Sequence, residues 1–484
     1  MSTSSVTLNL VNLRGTPTSA DQDIYILLTG EDVTGLTGIT LGTVTPLSQI
    51  TNATISFTTI NSGRLYAGLG QFPNPPTPTG GIYYGWIEFS CLTAGDNLWI
   101  NMSNVDLLGL PLSIAGTQAG GSSFSLGYKS PMTPTLLNTM QNSVLTKAGQ
   151  GAVVTTASGQ QLVIGPTVMP SAYPNMDSYV VSLVQAKAPV TIVSDTPPGG
   201  APETFTGNFQ TADPKTGVIL SLQGDQGDTF ELTAINLSSS IIYRCDGGTV
   251  IFNGRVVPQN RTATNDPSGQ PASQIISNSV FRNLMIGFNE GYFTTAGPNN
   301  SSQFPGQTPF AGGNGNLYAQ AIHNGTNSYG FPYADSNLKV LIQADPTQPV
   351  TVSILADSMA YGYTENPGGS SNQPSTGTYQ FGIGAGSGAL GPIRIGNWVY
   401  EASPNTDGSP GGAFGGFLPD LTDWTQMQFT GAGPGAYIWV KNGQISAGNC
   451  LNATGSWNDS KTVYSWPANL QWVPGATAPA QPTS

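Results

Sequence analysis

Residues 81–114 read GIYYGWIEFSCLTAGDNLWINMSNVDLLGLPLSI, and two acids stand in that stretch where acids are expensive. Glu88 sits among Trp86, Ile87 and Phe89, and Asp106 follows Val105 and precedes an apolar run. A carboxyl inside an apolar strand must be paired or hydrogen-bonded, or its burial is costly. Such surroundings also raise a carboxyl pKa, which suits a general acid. Two carboxyls on neighbouring strands are the minimum equipment for glycoside hydrolysis. The same pattern has a plainer reading. Alternate residues of an antiparallel pair face one side, and strand ends carry many solvent-facing acids.

The elements that must hold these acids read as a strand, a turn at Ala94-Gly95-Asp96-Asn97, and a second strand. Around them, residues 6–114 are strand-like throughout. Val6-Thr7-Leu8-Asn9-Leu10 alternates, Ile24 to Leu28 and Ile55-Ser56-Phe57 follow, and turn clusters at Asn61-Ser62-Gly63 and the Pro-rich 73–80 segment separate them. This is a barrel or sandwich pattern. Helical spacing begins later, after Pro134, at Met176 to Val184, at Ile276 to Phe288 and at Leu317 to Ile322. Strands are expected between these helices at Val218 to Leu222, Phe230 to Ala234, Ile241 to Arg244 and Val250 to Phe252. Residues 364–378, TENPGGSSNQPSTGT, have linker composition, and six of the eight tryptophans lie beyond them. Those rings fit either a sugar-binding module or the core of a small sandwich.

The string Trp99-Ile100-Asn101-Met102-Ser103-Asn104-Val105-Asp106, continued by Gly109-Leu110-Pro111-Leu112, resembles the signature strand of glycoside hydrolase family 64. So does Trp86-Ile87-Glu88-Phe89-Ser90. Weaker similarities follow in family order: Ser62 to Tyr66, Ile242 to Gly247, Leu284 to Gly291, and Tyr318 to Asp335, which ends like the family's Tyr-Asp-Asp. Family 64 comprises laminaripentaose-producing β-1,3-glucanases with a thaumatin-like barrel. The resemblance implies an inverting reaction with Glu88 as general acid and Asp106 as general base, and a glucan groove lined by Ser90, Trp99, Asn101 and Ser103. It extends the groove to Tyr333 and Asp335, with His323 as a wall or hydrogen-bonding residue. Two departures stand out. Ala334 replaces the middle acid of Tyr-Asp-Asp, and Asn289-Glu290-Gly291 stands where the family has Asn-Arg-Gly.

Strand arithmetic tests the pair. A two-residue turn at Gly95-Asp96 puts Glu88 opposite Ser103 and points Asp106 to the other face, because side chains alternate. A shared site therefore requires an irregularity between the acids, expected near Ser103 to Val105. An inverting site further requires the carboxyls to lie about 6.5–9.5 Å apart.

Composition bounds the rest. The chain has 484 residues, 8% charged, with net charge −12. Without a basic stripe, nucleic acid is excluded as a partner, whereas a neutral polysaccharide suits such a surface. One histidine and three scattered cysteines, Cys91, Cys245 and Cys450, argue against zinc and against a Ser-His-Asp triad. No metal or organic cofactor is implied, and no apolar run approaches a membrane span. Met1 to Ser5 lacks the basic and apolar regions of a signal peptide, yet the composition is that of a secreted protein. The expected fold is mainly β, with a thaumatin-like barrel or sandwich over 1–122, a mixed α+β domain over 123–355 with the groove between them, and a Gly/Trp-rich β extension over 356–484. The rivals to a β-1,3-glucanase are a non-catalytic glucan-binding relative, motivated by Ala334, and a structural or assembly protein, motivated by low charge and the Gly/Thr/Asn-rich tail.

Overall fold

The computed structural model describes residues 5–14, 23–195, 201–259, 272–297, 299–300, 309–310, 314–334 and 340–359, and beyond them only short strands between Gln380 and Trp472. The chain divides into two compact units, Met1–Pro367 and Gly368–Ser484.

Period-two alternation builds the first unit's sandwich. Val6–Asn12 buries Val6, Leu8 and Leu10 and turns Thr7 and Asn9 outward. It pairs antiparallel with Thr54–Phe57 and parallel with Val350–Ile354, at Leu8↔Val350. Leu112–Thr117 and Ser123–Leu126 complete this five-stranded sheet. The second sheet runs in the order Ile342–Ala344, Leu98–Ser103, Tyr84–Cys91, Thr59–Leu69, Ile24–Thr34, Thr45–Pro46. Phe57 of the first sheet stacks on Phe89 of the second, with ring centroids 5.5 Å apart. Burying each such ring contributes about 1.5–3 kcal/mol. Both sheets are open, so the architecture is a sandwich, and among the described residues no sheet closes into a barrel. Two of its strands, Ile342–Ala344 and Val350–Ile354, come from the far end of the unit.

Between them the chain forms a seven-stranded sheet in the order Arg255–Pro258, Thr249–Phe252, Thr229–Thr233, Val218–Gly224, Thr204–Phe209, Pro189–Val193, Asn299–Asn300. Only the last pair is parallel. Asp177–Ala186 and Ala272–Glu290 pack against this sheet. The latter buries Val280, Leu284 and Phe288 along one stripe, Phe281, Met285 and Ile286 beside it, and polar Ser277, Asn278, Asn283 and Asn289 as well, so it is enclosed on nearly every side. Gly287 interrupts it because a Cβ there would stand 2.3 Å from the Phe293 ring. The helix expected after Pro134 is a run of wide π turns around a short α turn, Met132–Leu136, Leu137–Thr139 and Met140–Val144. The fourth helix is Leu317–Gly325.

One expected strand is a helix. Ile241 to Arg244 lies in Ser239–Arg244, which buries Ile242 and Tyr243 and ends on left-handed Cys245. The β-branched pair suggested a strand, but Tyr243 packs edge-on against Tyr173 and donates its hydroxyl to Pro174 O at 2.6 Å, contacts that one short helix provides. Cys91 and Cys245 are buried, the Cys245 thiol donating to Ile242 O, and Cys450 lies outside the described residues. The second unit contains a five-stranded and a three-stranded antiparallel sheet, and its tryptophan side chains lie outside the description. No helix among the described residues is long and apolar enough to cross a membrane.

Candidate active site

The site is laid out by register. In the Glu88 strand, Ile87, Phe89 and Cys91 face the sandwich core, which leaves Tyr84, Trp86, Glu88 and Ser90 on the opposite face. Across the sheet the pairs Thr29↔Arg64, Arg64↔Glu88 and Glu88↔Asn101 place one polar row on that face. The row beside it is Leu27, Tyr66, Trp86 and Ser103, and the row on the other side contains Ser90 and Trp99.

The turn sits one residue earlier than the sequence suggested. Asp96 N–H donates to Thr93 O at 3.0 Å, and Gly95 takes φ 89°, the left-handed third position of such a turn. The turn is thus centred on Ala94-Gly95, which moves the partner of Glu88 from Ser103 to Asn101 and preserves parity, so a regular continuation would still turn Asp106 away. The strand does not continue. Its pairing ends at Trp86↔Ser103, residues 104–109 leave the ladder, and Leu110 N–H rejoins at Tyr84 O, 3.0 Å. The expected irregularity is therefore present as a six-residue excursion rather than a single bulge. It returns Leu107 to the face of Tyr66, Tyr84 and Trp86, where these residues form one apolar cluster.

The excursion is held from several sides. Asn104 N–H donates to Tyr329 O at 3.0 Å, Tyr318 OH donates to Asn104 O at 2.6 Å, and the Asn104 amide bonds Ser328 Oγ and Tyr128 OH. Thr167 Oγ1 donates to Val105 O at 2.6 Å, and Gly165 N–H to Asp106 O at 2.7 Å. Half-buried Asp106 is thereby fixed through its backbone.

Glu88 is held through its side chain. Arg64 Nε donates to Oε1 at 3.0 Å, and the Tyr329 hydroxyl donates to Oε2. Burial works against the Arg64 charge, but Glu88, with Tyr66 and Tyr329, more than offsets it and holds the guanidinium above its ordinary value. Burial pushes the Tyr66 phenol up; Arg64 opposes this, while the charges of Glu88 and Asp106 add to it. Tyr66 thus stands within electrostatic reach of both acids. Tyr84 is raised by burial and then by Asp106.

An open groove of about 800 Å³ runs over this face, lined among others by Glu31, Arg64, Tyr66, Pro75, Glu88, Ser90, Trp99 and Asn101. Trp99 is 43% exposed there, unusual for an indole, while Asn101 is nearly buried. The described lining comes from the sandwich and its loops, including Leu341 just before the Ile342–Ala344 strand. Four sequence-predicted residues, Glu88, Ser90, Trp99 and Asn101, are thus brought together. Ser103, in the neighbouring row, is buried and not in the described lining, and Asp106 is outside that lining too but its charge reaches Tyr66. His323 packs on Phe310, its pKa lowered by burial and then by Lys129, and it is not in the described lining. Tyr333 lies under the Arg282 guanidinium, 5.4 Å from ring centroid to Cζ, and Ala334 is fully buried. Asp335 lies outside the described residues. Among those residues, no group of three or more His, Cys, Asp or Glu could hold a metal.

Sequence reasoning missed Arg64 as Glu88's partner, although Ser62 to Tyr66 had been singled out and a cation is rare in this chain. It missed Tyr329 and Asn104 altogether.

A sequence profile of glycoside hydrolase family 64, described as beta-1,3-glucanase, matches residues 48–354. The chain belongs to glycoside hydrolase family 64. Solved family 64 structures resemble it at low identity. A laminaripentaose-producing beta-1,3-glucanase in complex with laminaritetraose is 17% identical, covering 73% of this chain and 99% of that one, at TM-score 0.45. A beta-1,3-glucanase domain from Clostridium beijerinckii is 17% identical, covering 72% and 98%, at TM-score 0.46. The family 64 laminaripentaose-producing enzyme from Paenibacillus barengoltzii is 14% identical, covering 73% and 75%, at TM-score 0.40. No curated protein matches the chain.

Proposed function

We propose that this chain hydrolyses β-1,3-glucan outside the cell as an inverting, endo-type glycosidase. Glu88 protonates the leaving glycosidic oxygen, and Asp106 activates water on the opposite face of the sugar. The observation that carries the reading is Glu88 in the groove, tied to Arg64 and Tyr329, beside the exposed ring of Trp99. The indole face suits the apolar face of a glucose unit, and the Asn101 amide and Ser90 hydroxyl suit its hydroxyls. The excursion at 104–109 supports the second role, because it breaks the strand's alternation before Asp106, whose charge reaches the Tyr66 phenol of the groove lining. Residues 356–484 act as an accessory β extension to this catalytic part.

Ala334 motivates a second reading, glucan binding without turnover, since a family acid is missing there. Reducing-sugar release from laminarin or curdlan decides between the two. The catalytic reading expects turnover that falls about 10²–10⁴-fold in Glu88→Gln, the usual contribution of a general acid. Retention on insoluble glucan with no release by the unaltered protein would establish binding alone.

A further inference from the structure

Tyr329 reaches Glu88 across 241 positions of sequence. The residue is nearly buried, and its two polar groups have different tasks. Its hydroxyl donates to Glu88 Oε2. Its carbonyl accepts from Asn104 N–H at 3.0 Å, at the first residue of the excursion that carries Asp106, and its backbone bridges Ser103 in parallel fashion. On the other side of Glu88, Arg64 Nε occupies Oε1 from the directly paired position of the adjacent strand.

We infer that Tyr329 and Arg64 form a clamp that positions Glu88, and that Tyr329, by also holding Asn104, sets the spacing of the two acids. This rests on the catalytic reading above. With one donor on each oxygen, the carboxyl plane has no free rotation about its last bond, so its aim into the groove is fixed before any sugar arrives. Pre-organisation of this kind acts on the reacting geometry rather than on ground-state binding, because a misplacement of about 1 Å can cost 10²-fold in rate. The charged and titratable groups around Glu88 are Arg64 and Tyr66 from the neighbouring strand and Tyr329 from the segment after the Leu317–Gly325 helix, with Asp106 beyond Tyr66.

The test is steady-state hydrolysis of laminarin by the full chain, Tyr329→Phe, Arg64→Gln, Glu88→Gln and the Tyr329→Phe/Glu88→Gln double variant. Tyr329→Phe keeps the ring and the carbonyl bond, and a thermal melt checks each fold. Expected are a kcat reduced about 10–100-fold and a KM within about 3-fold of the parent, in Tyr329→Phe and Arg64→Gln alike. In the Glu88→Gln background, removing the Tyr329 hydroxyl should cost no further turnover. A parental kcat in folded Tyr329→Phe, with Glu88→Gln inactive, would overturn the clamp and leave the catalytic reading standing. Additive losses in the double variant would overturn it too. If Tyr329→Phe does not fold, a parental kcat in Arg64→Gln overturns it. Full turnover in Glu88→Gln would remove the catalytic reading and the clamp together.

Discussion

Glu290→Gln should stabilise this protein at neutral and alkaline pH and leave it unchanged near pH 4.5. Glu290 ends the Ala272–Glu290 helix with zero exposure, and neither carboxyl oxygen has a hydrogen-bond partner by distance and angle among the described residues. Burial pushes its pKa from 4.5 to about 8, and the neighbouring Tyr292 hydroxyl pulls it back only in part. In the unfolded chain the group titrates near its ordinary value. Between the two pKa values the native state therefore holds a proton that the unfolded state has released. Stability is greatest below about pH 4.5, declines by up to about 1.4 kcal/mol per pH unit, and levels off above pH 8. The full span is roughly 4–5 kcal/mol, an order-of-magnitude figure. Glutamine has nearly the same shape and no charge to desolvate, so the variant should lack this slope. Urea unfolding of both proteins at pH 5, 6, 7, 8 and 9 measures it directly. A difference between them that stays constant across that range would show that Glu290 ionises freely in the native state, and would refute the reasoning.

Trp99→Ala should raise KM for long glucans about tenfold or more with little change in melting temperature, because the exposed indole contributes to a sugar platform rather than to the core; an unchanged KM would move the binding surface elsewhere. A chain ending at Pro367 should remain folded and keep its hydrolytic activity, since every strand of the sandwich and of the seven-stranded sheet lies before that point. Circular dichroism and laminarin assays check this, and loss of cooperative melting would show that the later unit supplies part of the fold.

What was legible from sequence was what repeats locally. The alternation of Val6 to Leu10 announced both the strand and its buried side, and the helices after Met176 and Ile276 declared themselves by spacing. The need for an irregularity between Glu88 and Asp106 was also readable, because parity along a strand is arithmetic. The turn centre was off by one because Gly95 fits either central position of a tight turn, and only the closing Thr93–Asp96 hydrogen bond selects between them. Ile241 to Arg244 misled because tertiary contacts of Tyr243 override the β preference of two isoleucines. Tyr329 could not have been found by pattern. Nothing in its neighbours refers to a carboxylate on a strand some 240 positions earlier. Asn104 looked like one more polar residue in a chain full of them, although it is the residue on which the Asp106 excursion hangs.

The parallel pairing of Val6–Asn12 with Val350–Ile354 has a consequence for biosynthesis. The early strand emerges from the ribosome with one neighbour soon available, Thr54–Phe57, while its other flank waits for a segment roughly 340 residues downstream. At about 5–20 residues per second that wait lasts on the order of 20–70 s. During it the half-built sheet exposes an open apolar edge, the kind of edge that invites pairing with other chains. Only when the late strand docks, with Arg14 then reaching Asp357 at 2.6 Å, does the sheet gain its inner pair. The last stretch of the catalytic unit to be synthesised thus acts as the latch for the first, and nascent chains stalled before residue 350 should be the population most dependent on chaperones.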